Sequence, residues 1–251
     1  MRSFVVIMLM GFALVTTAAA ESTSMKLLVY SHTAGFNHGH AIRAGLEVLE
    51  AMSEKEGWVM TASVDPADFT AENLGQFDLV IFNNTTRNVL PEPDQRAAFK
   101  AFIRGGGGFV GIHAASDTLY GWEWYGKLIG AYFRNHPRGM QTARIIVEDP
   151  EHPTMQGLGD SFEFHDEWYW FRSNPRENGV HVLARLDRSS HEVLANHSRA
   201  NPEADHPIIW CHEYDGGRVW YTALGHNADS VTDERFVRML RAGIRWAAGK
   251  E

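Results

Sequence analysis

Three histidines stand where short apolar runs end: His32 closes "KLLVYSH", His113 closes "GFVGIH" and His226 closes "RVWYTALGH". Other candidate groups lie in the loops. "SHTAGFNHGH" adds His38 and His40, "RNHPRG" adds His136, and "FHDEWYW" adds His165, Asp166 and Glu167. Imidazoles and carboxylates brought to one place suit a divalent transition metal, by ligand type Zn, Mn, Ni or Co. They equally suit general acid–base work near neutral pH. The sequence holds no HExxH and no CxxC, so any ligand set must be assembled from distant segments. His152, His181, His191, His197 and His206 read as surface or loop residues, and His212 as a core histidine with a partner.

The elements that must position these groups alternate. "KLLVYSH" reads as a strand, and "HAIRAGLEVLEAMSEKEG" as a helix with Ile42, Leu46, Leu49 and Met52 on one face and Gly57 as its stop. "WVMTASV" and "FDLVIFN" are two further strands. "LPEPDQRAAFKAFIRGGGG" is a helix that opens on prolines and ends in glycine. "GFVGIH" is a continuous apolar run of the kind buried on both faces of a sheet. This order predicts an α/β fold, a mainly parallel sheet with helices on both faces. Sites in such sheets lie outside the carboxyl ends of the strands, where His32, Asn83 and His113 fall. "TLYGWEWYGKLIGAYF" should pack over that rim, and "QTARIIVED" and "VHVLARL" should extend the sheet. "DERFVRMLRAGIRWAAG" closes the chain as a helix with Phe236, Met239, Leu240, Ile244 and Ala247 on its apolar stripe.

Two look-alikes are set aside. Gly105–Gly108 precedes a strand and lacks a GK[ST] ending, so it is a helix cap and turn, not a phosphate loop. "GIHAASD" is not GxSxG, because Ser116 falls three residues past the turn. Trp122, Trp124 and Tyr125, and then Trp168, Tyr169 and Trp170, form two aromatic clusters. They either cover the end of the sheet or form a platform for sugar C–H faces, with Trp168 and Trp170 as the expected substrate contacts.

Residues 1–20, "MRSFVVIMLMGFALVTTAAA", carry Arg2, an apolar run and a small-residue end, the pattern of a signal peptide cut after Ala20. A periplasmic or secreted protein is expected. Cleavage takes the formal charge from −8 to −9, because Arg2 is the one charged residue removed. An acidic chain with no basic block excludes nucleic acid and anionic membrane as partners. Cys211, in "PIIWCHEY", has no cysteine to pair with and reads as a buried thiol.

Four segments in order, "LLVYSHTAGFNH", "GGFVGIHAASD", "DEWYWF" and "IIWCHEYDGGRVWYTALGH", resemble the ThuA-like (trehalose utilisation) family from Met25 to Ala248. The resemblance implies one domain over residues 25–250 with a flavodoxin-like, class I glutamine amidotransferase-like fold. Those amidotransferases carry a cysteine at the strand-to-helix elbow, where this chain has His113, so glutamine hydrolysis is not expected. The family implies carbohydrate metabolism alongside dehydrogenases that make 3-keto sugars, and hence a small carbohydrate substrate. On that basis His32, His113 and His226 are the expected metal ligands. His113, Glu167 and His226 are the expected catalytic groups, and His38, Asp117 and His136 supporting or substrate contacts. Metal-assisted lyase, hydrolase or isomerase chemistry competes with a non-catalytic sugar-binding module. The aromatic content is compatible with a homodimer, which nothing in the sequence specifies.

Overall fold

A computed structural model describes residues 24–196 and 205–250. The expected signal peptide lies outside the described residues. Eleven strands are described: β1 (Lys26–Tyr30), β2 (Val59–Ser63), β3 (Leu79–Asn83), β4 (Gly108–Ile112), β5 (Phe133–Asn135), β6 (Gln141–Val147), β7 (Ser161–Asp166), β8 (Trp170–Phe171), β9 (His181–Asp187), β10 (Pro207–Tyr214) and β11 (Gly217–Thr222). The helices are α1 (Gly39–Glu56), α2 (Ala71–Leu74), α3 (Pro93–Arg104), α4 (Glu123–Ile129), α5 (Glu192–Ala195), α6 (Ala228–Thr232) and α7 (Glu234–Ala247).

The main sheet runs β2-β1-β3-β4-β11-β10-β9-β6-β7. Its first five strands are parallel, and the last four continue antiparallel. The parallel half has the 2-1-3-4-5 order of flavodoxin-like folds. β3 and β4 are buried at every residue, as their unbroken apolar sequences require. "QTARIIVED" and "VHVLARL" form β6 and β9 of the antiparallel extension. β5 and β8 pair outside the main sheet.

Helices cover both faces. Side chains alternate along β11, so Trp220 and Tyr221 point to opposite sides. Trp220 lies under Gly243 of α7, whereas Tyr221 shares the space over Gly111 with Ile129 of α4. The buried stripe of α7 is the expected one, with Gly243 added. The face of α1 is rotated from expectation. Ala41, Ala44 and Gly45 are buried with Leu49 and Met52, while Ile42 and Leu46 are only partly covered. Small residues let α1 sit close to the end of β3, where Asn83 Nδ2 donates to Ile42 O (3.1 Å) and Ser31 Oγ (3.2 Å). No helix among the described residues is long and apolar enough to cross a membrane.

Candidate metal centre

The strand ends of the parallel half carry the strained backbone. Five non-glycine described residues have φ in the left-handed region, and Asn84, Arg87, His113 and Leu119 of these lie on one rim. Such residues persist only where the surroundings hold them, and they gather at functional sites. His113 follows β4 directly, with φ 46 and a fully buried side chain. Its Nδ1 lies 2.7 Å from Ala223 O. A carbonyl oxygen only accepts, so Nδ1 carries a proton, and in the neutral ring Nε2 turns a lone pair into the site. Tyr169 covers the ring, with centroids 4.0 Å apart.

His226 follows β11 and is fixed by Asp166 at the end of β7. Asp166 Oδ2 accepts from Gly225 N (2.7 Å), and Oδ1 accepts from His226 N (3.1 Å) and Glu167 N (2.8 Å). Three N–H donors occupy this fully buried carboxylate, whose pKa burial still pushes upward. Gly225, at φ 109, makes the turn that aims two of those donors at it. The same clamp presents Glu167.

The four groups converge. His226 Nδ1 is 3.2 Å from Glu167 Oε2 and 3.3 Å from His113 Nε2, and His113 Nε2 is 3.6 Å from Glu167 Oε2. His38, the residue before α1, completes the group. Its ring centroid is 5.1 Å from those of both His113 and His226, nearly perpendicular to each. One ligand atom from each of His38, His113, Glu167 and His226 lies within 4.8 Å of all the others. His136 braces the second carboxylate oxygen, with Nδ1 2.9 Å from Glu167 Oε1 and 2.7 Å from Pro137 O.

The electrostatics are compatible with a bound cation. Burial alone would raise the pKa of Glu167, but the neighbouring imidazoles of His113, His136 and His226 outweigh it and hold the carboxyl well below the usual range. Burial first, and then the neighbouring His113 and His226, push His38 down to about 2, so it stays neutral with a lone pair to give. His38 Nδ1 is buried with no partner. The hydrogen bond that His136 donates to Glu167 raises the pKa of His136.

His113, Glu167 and His226 therefore meet, as the sequence suggested, but His32 does not join them. Its Nδ1 lies 2.7 Å from Val64 O and its ring stacks on Tyr30 at 6.0 Å, so His38 takes the fourth place. Asp117 is buried beside the cluster, accepting from Tyr120 Oη (2.6 Å) with Arg87 Nη1 at 3.5 Å. Trp168 and Trp170 are 1 % and 2 % exposed, so neither can stack on a sugar. Trp168 Nε1 donates instead to Gln141 O at 2.9 Å. His206 is buried rather than exposed, with Nε2 2.8 Å from Tyr169 O. The sequence offers Asp166 as one more candidate carboxylate and Tyr169 as one of an aromatic cluster, whereas Asp166 clamps the backbone and Tyr169 covers the His113 ring. The sequence signal specific to these supporting roles is their adjacency to Glu167 in "HDEWY".

Residues 26–247 match the ThuA family, described as trehalose utilisation. The chain belongs to the ThuA family. Among solved structures, a ThuA-like protein from Bacteroides uniformis ATCC 8492 is 25% identical with a TM-score of 0.75, over 92% of this chain and 94% of that one. A ThuA-like protein from Parabacteroides merdae ATCC 43184 is 16% identical with a TM-score of 0.68, over 90% of each chain. A β-galactosidase from Bacillus circulans sp. alkalophilus shares the fold at 13% identity and a TM-score of 0.56, over 90% of this chain and 31% of its own. No curated protein is similar enough in sequence to add a relative.

Proposed function

We propose that this ThuA-family chain is an exported, metal-dependent enzyme of carbohydrate utilisation. In this reading it acts on keto-sugars or their glycosides, and His38, His113, Glu167 and His226 hold one divalent ion, Zn, Mn, Ni or Co by ligand type. One observation carries the reading. His113 Nε2 lies 3.6 Å from Glu167 Oε2 and 3.3 Å from His226 Nδ1, and His38 Nδ1 is buried beside them with no partner, a set of ligand atoms that one divalent cation would satisfy together.

A bound divalent ion supplies Lewis acidity, stabilising negative charge on a sugar carbonyl oxygen. A keto group makes the neighbouring C–H acidic. A base takes that proton, the bond electrons move toward the carbonyl, and a β-glycosidic oxygen can then leave with its bonding pair and receive the proton. With His38, His113 and His226 turned to the ion, His136 is the group placed to carry the proton. It is 38 % exposed and tied to Glu167 Oε1. The burial of Trp168 and Trp170 takes away the two aromatic contacts expected of a non-catalytic sugar-binding module.

The test is metal content of chain purified without a His tag, with deuterium exchange beside the carbonyl of a 3-keto-glucoside. About one ion per chain is expected, lost in His113→Ala together with the exchange. A wild-type chain that takes up none of the four metals would overturn the reading.

A further inference from the structure

Two arginines meet over one tyrosine beside the His/Glu cluster. Arg87 Cζ lies 5.4 Å and Arg172 Cζ 4.0 Å from the Tyr120 ring centroid. Arg87 comes from the loop after β3 and Arg172 from the residue after β8. The acid facing them is Asp117, whose Oδ1 takes the Tyr120 hydroxyl at 2.6 Å and stands 3.5 Å from Arg87 Nη1. Arg172 has no carboxylate within ion-pair distance among the described residues. Its Nε donates to Phe133 O at 3.3 Å. Two positive charges thus share one negative charge.

The backbone is arranged to present Arg87. Its φ is 65, its N–H donates to Asp117 O at 2.7 Å, and its carbonyl accepts from Leu119 N at 2.7 Å. A residue with a Cβ is costly in that conformation, so the strain is tied to a side chain placed for use. The Arg87 chain crosses directly over Gly35, where an added Cβ would lie 2.4 Å from Arg87 Cγ. Arg87 therefore spans from the turn that begins at His113 to the loop that ends at His38. Arg172, bonded to Phe133 O, is tied to the same cluster through tilted ring contacts: Phe133 lies 4.2 Å from Tyr169, and Tyr169 lies 4.0 Å from His113. On the His38 loop, Phe36 is 67 % exposed, with its ring edge-on to His38 at 4.7 Å. An exposed aromatic face next to planar cationic forks fits a sugar ring that carries a carboxylate or phosphate.

We propose that Arg87 and Arg172 form an anion-recognising subsite at the mouth of the cluster, and that the substrate is an acidic sugar. This rests on reading the cluster as a sugar site. The test is calorimetry at low salt with D-glucuronate, D-glucose 6-phosphate and D-glucose, on wild type, Arg87→Gln and Arg172→Gln, with metal content measured on each preparation. One acidic sugar should bind at least about tenfold tighter than glucose, the scale of a charge-assisted hydrogen-bond pair. Either substitution should bring it down to the glucose level while thermal stability holds. Preference for glucuronate assigns a carboxylate, and preference for the 6-phosphate a phosphate. The proposal is overturned if the three sugars bind alike, if none binds, or if the preference survives both substitutions. A full complement of metal without anion preference rejects the subsite alone, and anion preference without metal rejects the metal reading alone.

Discussion

Glu167 is the anion on which three imidazoles close, so its charge and its hydrogen bonds can be separated by Glu167→Gln. A glutamine oxygen can still accept from His136, and its amide can donate to the lone pairs of His113 and His226. The metal-free protein should therefore keep its stability within about 1 kcal/mol. Metal affinity should fall by about 100-fold or more, because a carboxylate ligand is lost. Equal affinity in titrations of wild type and variant would exclude Glu167 as a ligand. His113, Glu167 and His226 were legible in the sequence because strand ends and the "DEW" acid fall on the rim that the fold uses. His32 was misleading for the same reason. It does follow the end of β1, but its ring turns back to Val64 O, and the loop is set by contacts that no local pattern encodes. Thr86 Oγ1 donates to Phe36 O (3.0 Å) and accepts from Gly35 N (3.1 Å), so a residue 50 positions away decides where His38 stands.

The turn after β11 depends on β7 in the same way. Asp166 satisfies three N–H groups with two oxygens, and an amide cannot. In Asp166→Asn, the new NH₂ must face a backbone N–H, leaving a buried donor without an acceptor. A loss of about 1–3 kcal/mol is expected. The displaced His226 should weaken metal binding by about 10–100-fold, as loss of such supporting hydrogen bonds does. Denaturant melts and metal titrations on the one variant check both. A stable variant with unchanged affinity would show that His226 needs no such clamp. Elements themselves were the readable part. Unbroken apolar runs marked β3 and β4, and helical spacing marked α7. Composition could not tell a tryptophan in the core from one on a platform, because both serve as large apolar area. Trp168 and Trp170 were misplaced on that account.

At the scale of the whole molecule, His38, His113 and His226 come from the parallel half, whereas Glu167 comes from the antiparallel extension. An ion bound there ties the two halves together and stabilises the native state by mass action. At free metal 100 times the dissociation constant the gain is about 2.7 kcal/mol, or about 5–10 °C for a domain of this size. Chelation should lower the melting temperature by that amount in wild type and leave His113→Ala unmoved. The metal-free protein should also be acid-sensitive in a way that reports His38. Burial and its histidine neighbours push His38 down to about 2 in the fold, against about 6.5 when unfolded. Between those values the unfolded chain binds a proton that the folded chain refuses, so stability falls as pH drops below about 6.5. Glu167, held below the usual carboxylate range, adds to the loss on further acidification. His136 opposes them: its raised pKa gives stability that is complete below about 6.5 and is lost as pH rises through its folded value. The net slope mixes these groups, but a substitution isolates one. Melts of chelated protein from pH 7 to 4 should fall less steeply in His38→Ala than in wild type. Parallel curves would mean that His38 takes up its proton in the fold as easily as outside it, and that its lone pair is not reserved for a metal.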